Sequence, residues 1–101
     1  MKNAMISVSA IEKVLESEDI EGLLKLGAPR DEYAYEARTI QSELSDVRVQ
    51  DLTESAVTAA VQKVWTESFG PFSETEIRKR MPGFRHVARQ IMTQAQTLSQ
   101  V

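Results

Sequence analysis

Residues able to do chemistry crowd into one short stretch, Asp31-Glu32-Tyr33-Ala34-Tyr35-Glu36, which holds three carboxylates and two phenols. Glu32 and Glu36 are four apart, so on a helix they share a face and could offer oxygens to one hard cation. A metal cage needs more ligands than that pair, and no Asp-x-Asp or Glu-x-x-His pattern supplies them. Acids at a helix start also stabilise the helix dipole with no metal present. The expectation is no metal and no cofactor. The tyrosines offer something else. On a helix Tyr33 falls on the apolar stripe, while Tyr35 is rotated about 200° away and faces water. An exposed tyrosine among carboxylates has the composition of a protein-binding hot spot, a stiff amphipathic anchor in a charged rim. Asp31, Glu32, Tyr35 and Glu36 are therefore the expected contact residues, suited to a basic partner. The plain alternative is a helix cap with one half-buried tyrosine.

Catalysis has little to work with. His86 is the sole histidine and sits between Arg85 and Val87 on an arginine-rich stretch, where its neighbours disfavour an imidazolium. The chain has no cysteine, which removes thiol catalysis, disulfides and Cys-bound zinc together. A serine or threonine nucleophile would lack a base. No catalytic residue is assigned, and a non-enzyme is expected.

The opposite charge gathers at Arg78-Lys79-Arg80, with Arg85 and Arg89 beyond. If Thr75 to Met81 and Phe84 to Met92 formed two helices about Pro82-Gly83, the second could enter a major groove. Arg85 and Arg89, at i and i+4, would then reach phosphate or guanine. Nucleic-acid binding through these five residues is the alternative function. Against it stand a net charge of −3 and a pI near 5.2. A solvated basic face that pairs with the acidic half of the same molecule explains the run more simply.

The elements that must position these groups all carry a helical period. Ser9-Ala10-Ile11-Glu12 reads as a capping box, with Ile11, Val14 and Leu15 as the stripe behind it. Ser17-Glu18-Asp19 offers a second start, followed by Ile20, Leu23 and Leu24 up to Gly27; whether residues 9–26 form one bent helix or two stays open. Gly27 closes that run, and Pro29 resets the chain for a new helix from about Asp31 to Leu44, with Tyr33, Ala37, Ile40 and Leu44 facing inward. Glu32, Glu36 and Glu43 fall largely off that stripe. Residues 45–50 read as a connection. Asp51-Leu52-Thr53-Glu54 is a further capping box before Val57, Ala60, Val61, Val64, Trp65 and Phe69, and Gly70-Pro71 ends that helix. Ser73-Glu74-Thr75-Glu76 caps a short piece stopped by Pro82-Gly83. The last helix follows, with Phe84, Val87, Ala88, Ile91, Ala95 and Leu98 on one face and a polar tail that frays.

The architecture expected is all-α: one domain, a compact bundle of four main helices with short additional turns at 19–26 and 74–81. Residues 1–8 and 99–101 are expected to be flexible ends. The core should comprise Ile11, Leu15, Leu23, Leu24, Ile40, Leu44, Val57, Val61, Val64, Trp65, Ile91 and Leu98. With 101 residues, 42% of them hydrophobic and 27% charged, the chain has globular composition. No apolar run is long enough to span a membrane, and the first eight residues lack the apolar stretch of a secretory signal. A cytoplasmic location is the expectation. Charge is uneven: residues 1–60 hold six Lys/Arg against twelve Asp/Glu, and residues 61–101 hold six against three. Such a molecule can show different faces to different partners.

Gly27-Ala28-Pro29-Arg30-Asp31-Glu32-Tyr33, followed by Glu36-Ala37 and by the Trp65…Phe69-Gly70-Pro71 run, resembles a group of small bacterial helical domains of unknown function. Their mark is Gly-Ala-Pro-x-Asp-Glu-Tyr-Asp-Pro-Glu. The resemblance covers about residues 10–72, and here Ala34-Tyr35 replaces the usual Asp-Pro, so one acid is lost. It implies an all-α fold and a bacterial origin, and assigns no activity. Domains of this size and acidity also serve as immunity partners of bacterial toxins. The expected function is thus a non-enzymatic interaction domain, most concretely an immunity protein that binds a basic toxin domain, itself a monomer or a homodimer.

Overall fold

A computed structural model describes the backbone of residues 6–99 and the side chains of residues 6–94. Four helices carry the structure: α1 (Val8–Glu18), α2 (Ala34–Ser45), α3 (Glu54–Phe69) and α4 (Glu74–Ser99). Short 3-10 turns at Arg30–Tyr33 and Val49–Asp51 lead into α2 and α3. Each helix packs on two others, α1 on α2, α2 on α3, α3 on α4 and α4 back on α1, which closes a four-helix bundle. The radius of gyration is 13.2 Å, what a single packed body of this length should have at about 13 Å. Among the described residues no helix is long and apolar enough to cross a membrane.

The bundle forms because each helix contributes an apolar stripe to one interior. Ile11, Leu15, Ile40, Leu44, Val57, Val61, Val64, Trp65 and Ile91 are buried as the spacing requires. Val14, Tyr33, Ala37, Phe84, Val87 and Ala88 join them from the same stripes. Leu23 and Leu24 correct the expectation: they are only half-buried and pack on the edge of the core. Leu98 and Ala95 lie outside the described side chains, as do residues 1–5. Ile6, expected in a flexible end, is buried and belongs to the core.

Three helix boundaries differ from the pattern, each for a local reason. Helix α1 starts at Val8, capped by the Ser7 hydroxyl, which accepts from the Ala10 N–H at 3.1 Å; the Ser9 box is not used. It ends at Asp19, a left-handed residue with φ 45°, so residues 9–26 are one helix followed by turns. Asp19, offered as a second start, is a stop. Helix α3 is capped by Thr53, which accepts from the Ala56 N–H at 3.0 Å, while Asp51 closes the preceding 3-10 turn. Helix α3 ends at Gly70, where the backbone turns extended (φ −87°, ψ −161°) and no side chain fits, since a Cβ there would stand 2.5 Å from the Thr66 carbonyl oxygen.

The largest difference is α4. Pro82-Gly83 does not stop it; one helix runs from Glu74 to Ser99 with Pro82 inside. Its start is the expected capping box: the Ser73 hydroxyl accepts from the Glu76 N–H at 3.2 Å and the Glu76 carboxylate accepts from the Ser73 N–H at 3.1 Å. A proline inside a helix costs about 3 kcal/mol, because Pro82 gives the Arg78 carbonyl no donor. Burial of Phe84, Val87, Ala88 and Ile91 on the following turns offsets that cost.

Candidate interaction surface

The segment that carries the surface residues is fixed from beneath by a polar frame. Asp19 ends α1 in the left-handed region and turns its carboxylate into the loop that follows. That carboxylate accepts from the Leu24 N–H at 3.2 Å, from the Lys25 N–H at 3.1 Å and from the Tyr33 hydroxyl at 2.6 Å. Two residues on, Glu21 accepts from the Trp65 indole N–H at 2.8 Å and from Arg80 through Nε at 2.7 Å and Nη2 at 2.9 Å. One loop is thereby tied to the start of α2, to α3 and to α4. The Arg80 guanidinium also lies over the Phe72 ring, 4.2 Å from its centre. Tyr33 and Trp65 stack at 5.4 Å between ring centres, and Trp65 meets Phe69 at 5.0 Å and Phe84 at 6.4 Å.

Titration behaviour follows from these contacts. Burial works to raise the Asp19 pKa, but the bonds from Tyr33, Leu24 and Lys25 outweigh it and hold the carboxyl below its ordinary value. The Arg80 bonds hold Glu21 low in the same way, against desolvation and with help from Trp65. Burial, reinforced by the Asp19 carboxylate, pushes the Tyr33 phenol far above its ordinary value. All these groups are locked in one protonation state near neutral pH.

On top of this frame the two tyrosines part company. Tyr33 is fully buried, whereas Tyr35 is 62% exposed near the start of α2. Asp31 and Glu32 are exposed on the 3-10 turn, and among the described residues neither carboxylate has an intramolecular partner. Glu36 corrects the expectation. It is only 7% exposed, because it falls at i+3 from Tyr33 and i−4 from Ile40, on the inward side of α2. It lies in the first turn of α2, where an acid complements the helix dipole. The rim is also less acidic than its core residues imply, since Lys25, Arg30 and Arg38 are exposed nearby in the chain. Leu26, 84% exposed on the hydrogen-bonded loop, is a further apolar candidate.

The basic residues do not come together as expected. Because α4 is unbroken, no helix-turn-helix exists around Pro82-Gly83. Arg80 is turned inward onto Glu21. Arg89 pairs with Glu54 at 3.3 Å, and Arg78 approaches Glu74 at 3.8 Å. Lys79 and Arg85 remain exposed on the outer side of α4. The Nδ1 of His86 meets the Glu18 carboxylate and ties α4 to the end of α1. That pair sits at one end of an open polar cleft of about 570 Å³ between α1 and α4, lined by Lys13, Ser17 and Gln90 among others. Among the described residues no group of three or more His, Asp or Glu side chains converges as a metal would require.

Comparison with known protein families, with curated proteins and with solved structures returns no match.

Proposed function

We propose that this chain is a non-enzymatic, bacterial, cytoplasmic protein-interaction domain of the immunity type, which binds a basic toxin domain through Asp31, Glu32 and Tyr35. The observation that carries the reading is the contrast between the adjacent tyrosines. Tyr33 is buried and bonded to Asp19, while Tyr35, two residues on, is 62% exposed on the rigid start of a helix. An aromatic side chain presented on a fixed backbone loses little freedom on binding, which is what makes tyrosine an effective anchor. The unpaired carboxylates of Asp31 and Glu32 supply a rim that a cationic partner can engage. The Gly27-to-Tyr33 resemblance to small bacterial helical domains supports the same reading. Glu36, being buried, drops out of the contact set.

The test is a photo-crosslinking side chain placed at position 35, with one at the exposed position 85 as control, in bacterial cells that express this chain, with the crosslinked protein identified by mass spectrometry. Crosslinks from position 35 are expected. Tyr35→Ala should then weaken the complex by about 2 kcal/mol, near thirtyfold in Kd. Unchanged affinity in a Tyr35→Ala, Glu32→Ala double variant would sink the surface.

A further inference from the structure

Helix α4 is one helix built from two unequal halves. From Phe84 on, Phe84, Val87, Ala88 and Ile91 are fully buried. From Glu74 to Met81 no residue is: Ile77, Arg80 and Met81 are half-buried and the other five are exposed. Pro82 separates the halves, and it leaves the Arg78 carbonyl without its helical donor. The loop opposite has the same character, for no residue between Asp19 and Ala28 is fully buried either. These two segments hold each other. Glu21 grips Arg80 with two hydrogen bonds, and at Gly83 the helix comes so near the loop that an added Cβ would lie 3.2 Å from Ile20 Cγ1.

We propose that Glu74–Met81 opens as a unit about Pro82-Gly83, and that Glu21 is the latch that keeps it shut. Two segments without a fully buried residue, resting on the edge of the core through Ile20, Leu23, Leu24 and Met81 and bridged by the Glu21–Arg80 pair, make a low-lying opening that leaves the bundle intact. Phe84 to Ile91 stay seated while the first two turns swing. Opening removes the Arg80 guanidinium from the Phe72 ring and from the Glu21 carboxylate that also accepts from the Trp65 indole. The motion therefore uncovers aromatic surface that the closed state hides.

Glu21→Gln keeps the shape of the latch and removes its charge. In hydrogen exchange on the full chain, amides of residues 74–81 should exchange at least about tenfold faster in this variant, with residues 84–91 unchanged. Trp65 is the only tryptophan, so acrylamide quenching of its emission should rise in parallel. Pro82→Ala restores the missing N–H and should slow exchange in 74–81 toward that of 84–91. If Glu21→Gln fails to fold, Arg80→Met carries the same comparison. Equal loss of protection in both halves would show ordinary destabilisation and overturn the latch, as would no change in either. Unaltered exchange in Pro82→Ala overturns the hinge.

Discussion

Two regions of this molecule use nearly the same residue types to opposite ends. Beneath the loop, Asp19 and Glu21 meet Tyr33, Trp65 and Arg80, and every polar atom named there faces inward to a partner. A few residues further along, Asp31, Glu32 and Tyr35 repeat the mixture of acid and phenol with no internal partner among the described residues. Composition does not separate them. What does is position relative to the core stripe: Tyr33 is on it, so its hydroxyl must be satisfied inside, and Asp19 is the group that satisfies it. Tyr35 is off it and owes the interior nothing. Of these four carboxylates, the two that half-buried or buried donors reach, Asp19 and Glu21, are structural, and the two that none among the described residues reaches, Asp31 and Glu32, are available.

The comparison breaks most visibly at Trp65, which joins both the apolar core and the frame. Trp65→Ala should cost about 3–5 kcal/mol, read from urea or thermal denaturation, since it empties a fully buried site and removes one of the three donors to Glu21. A more selective test deletes the same atom from each tyrosine. Tyr33→Phe removes a 2.6 Å bond to a carboxylate and should cost about 1.5–3 kcal/mol. Tyr35→Phe removes an exposed hydroxyl and should change stability by less than about 0.5 kcal/mol. Equal costs would mean that the two tyrosines do not play different parts.

Acid sharpens the contrast. Asp19 and Glu21 are held below their ordinary pKa values in the folded state, so the unfolded chain binds protons first as pH falls. Their contribution is complete above about pH 5, where both are ionised folded or unfolded, and is lost as pH drops through the folded-state values. Denaturation midpoints of the wild type should therefore fall below that pH. Glu21→Gln, already weaker at neutral pH, should show a flatter acid limb. An acid limb identical to the wild type's would mean that Glu21 contributes no such linkage.

Much of the bundle was readable from spacing because helix formation here is a local matter: apolar stripes, the Ser73 cap, and the Gly70-Pro71 stop all act within one turn. The frame was not readable. Asp19 ends α1 where a glycine is the usual signal, and nothing nearby announces that a residue 14 positions later will hydrogen-bond to it. Glu21 finds Trp65 and Arg80 across 44 and 59 positions, contacts that only the closed bundle creates. The Pro82 misreading has the same origin, for local grammar says stop and tertiary packing overrides it. At the surface, the alternation of Tyr33 and Tyr35 was legible, whereas the inward turn of Glu36 was not. It sits at the boundary of the stripe, between Tyr33 and Ile40 at helical spacing, where charge argued for an outward side chain and position placed it inward.

The smallest effect expected on stability carries the most information about the exposed region. Asp31→Asn with Glu32→Gln removes two charges that touch nothing else among the described residues, so the melting transition should stay within about 0.5 kcal/mol of the wild type. The frame below is untouched by those changes, and its circular dichroism and Trp65 emission should match the wild type's. If the reading of the surface is right, the same double variant loses affinity for a cationic partner and loses the salt dependence of association, because the rim acts mainly through encounter and register. Stability and binding then respond to different carboxylates. A measurable loss of stability on removing Asp31 and Glu32 would place these acids with Asp19 and Glu21, as parts of the scaffold.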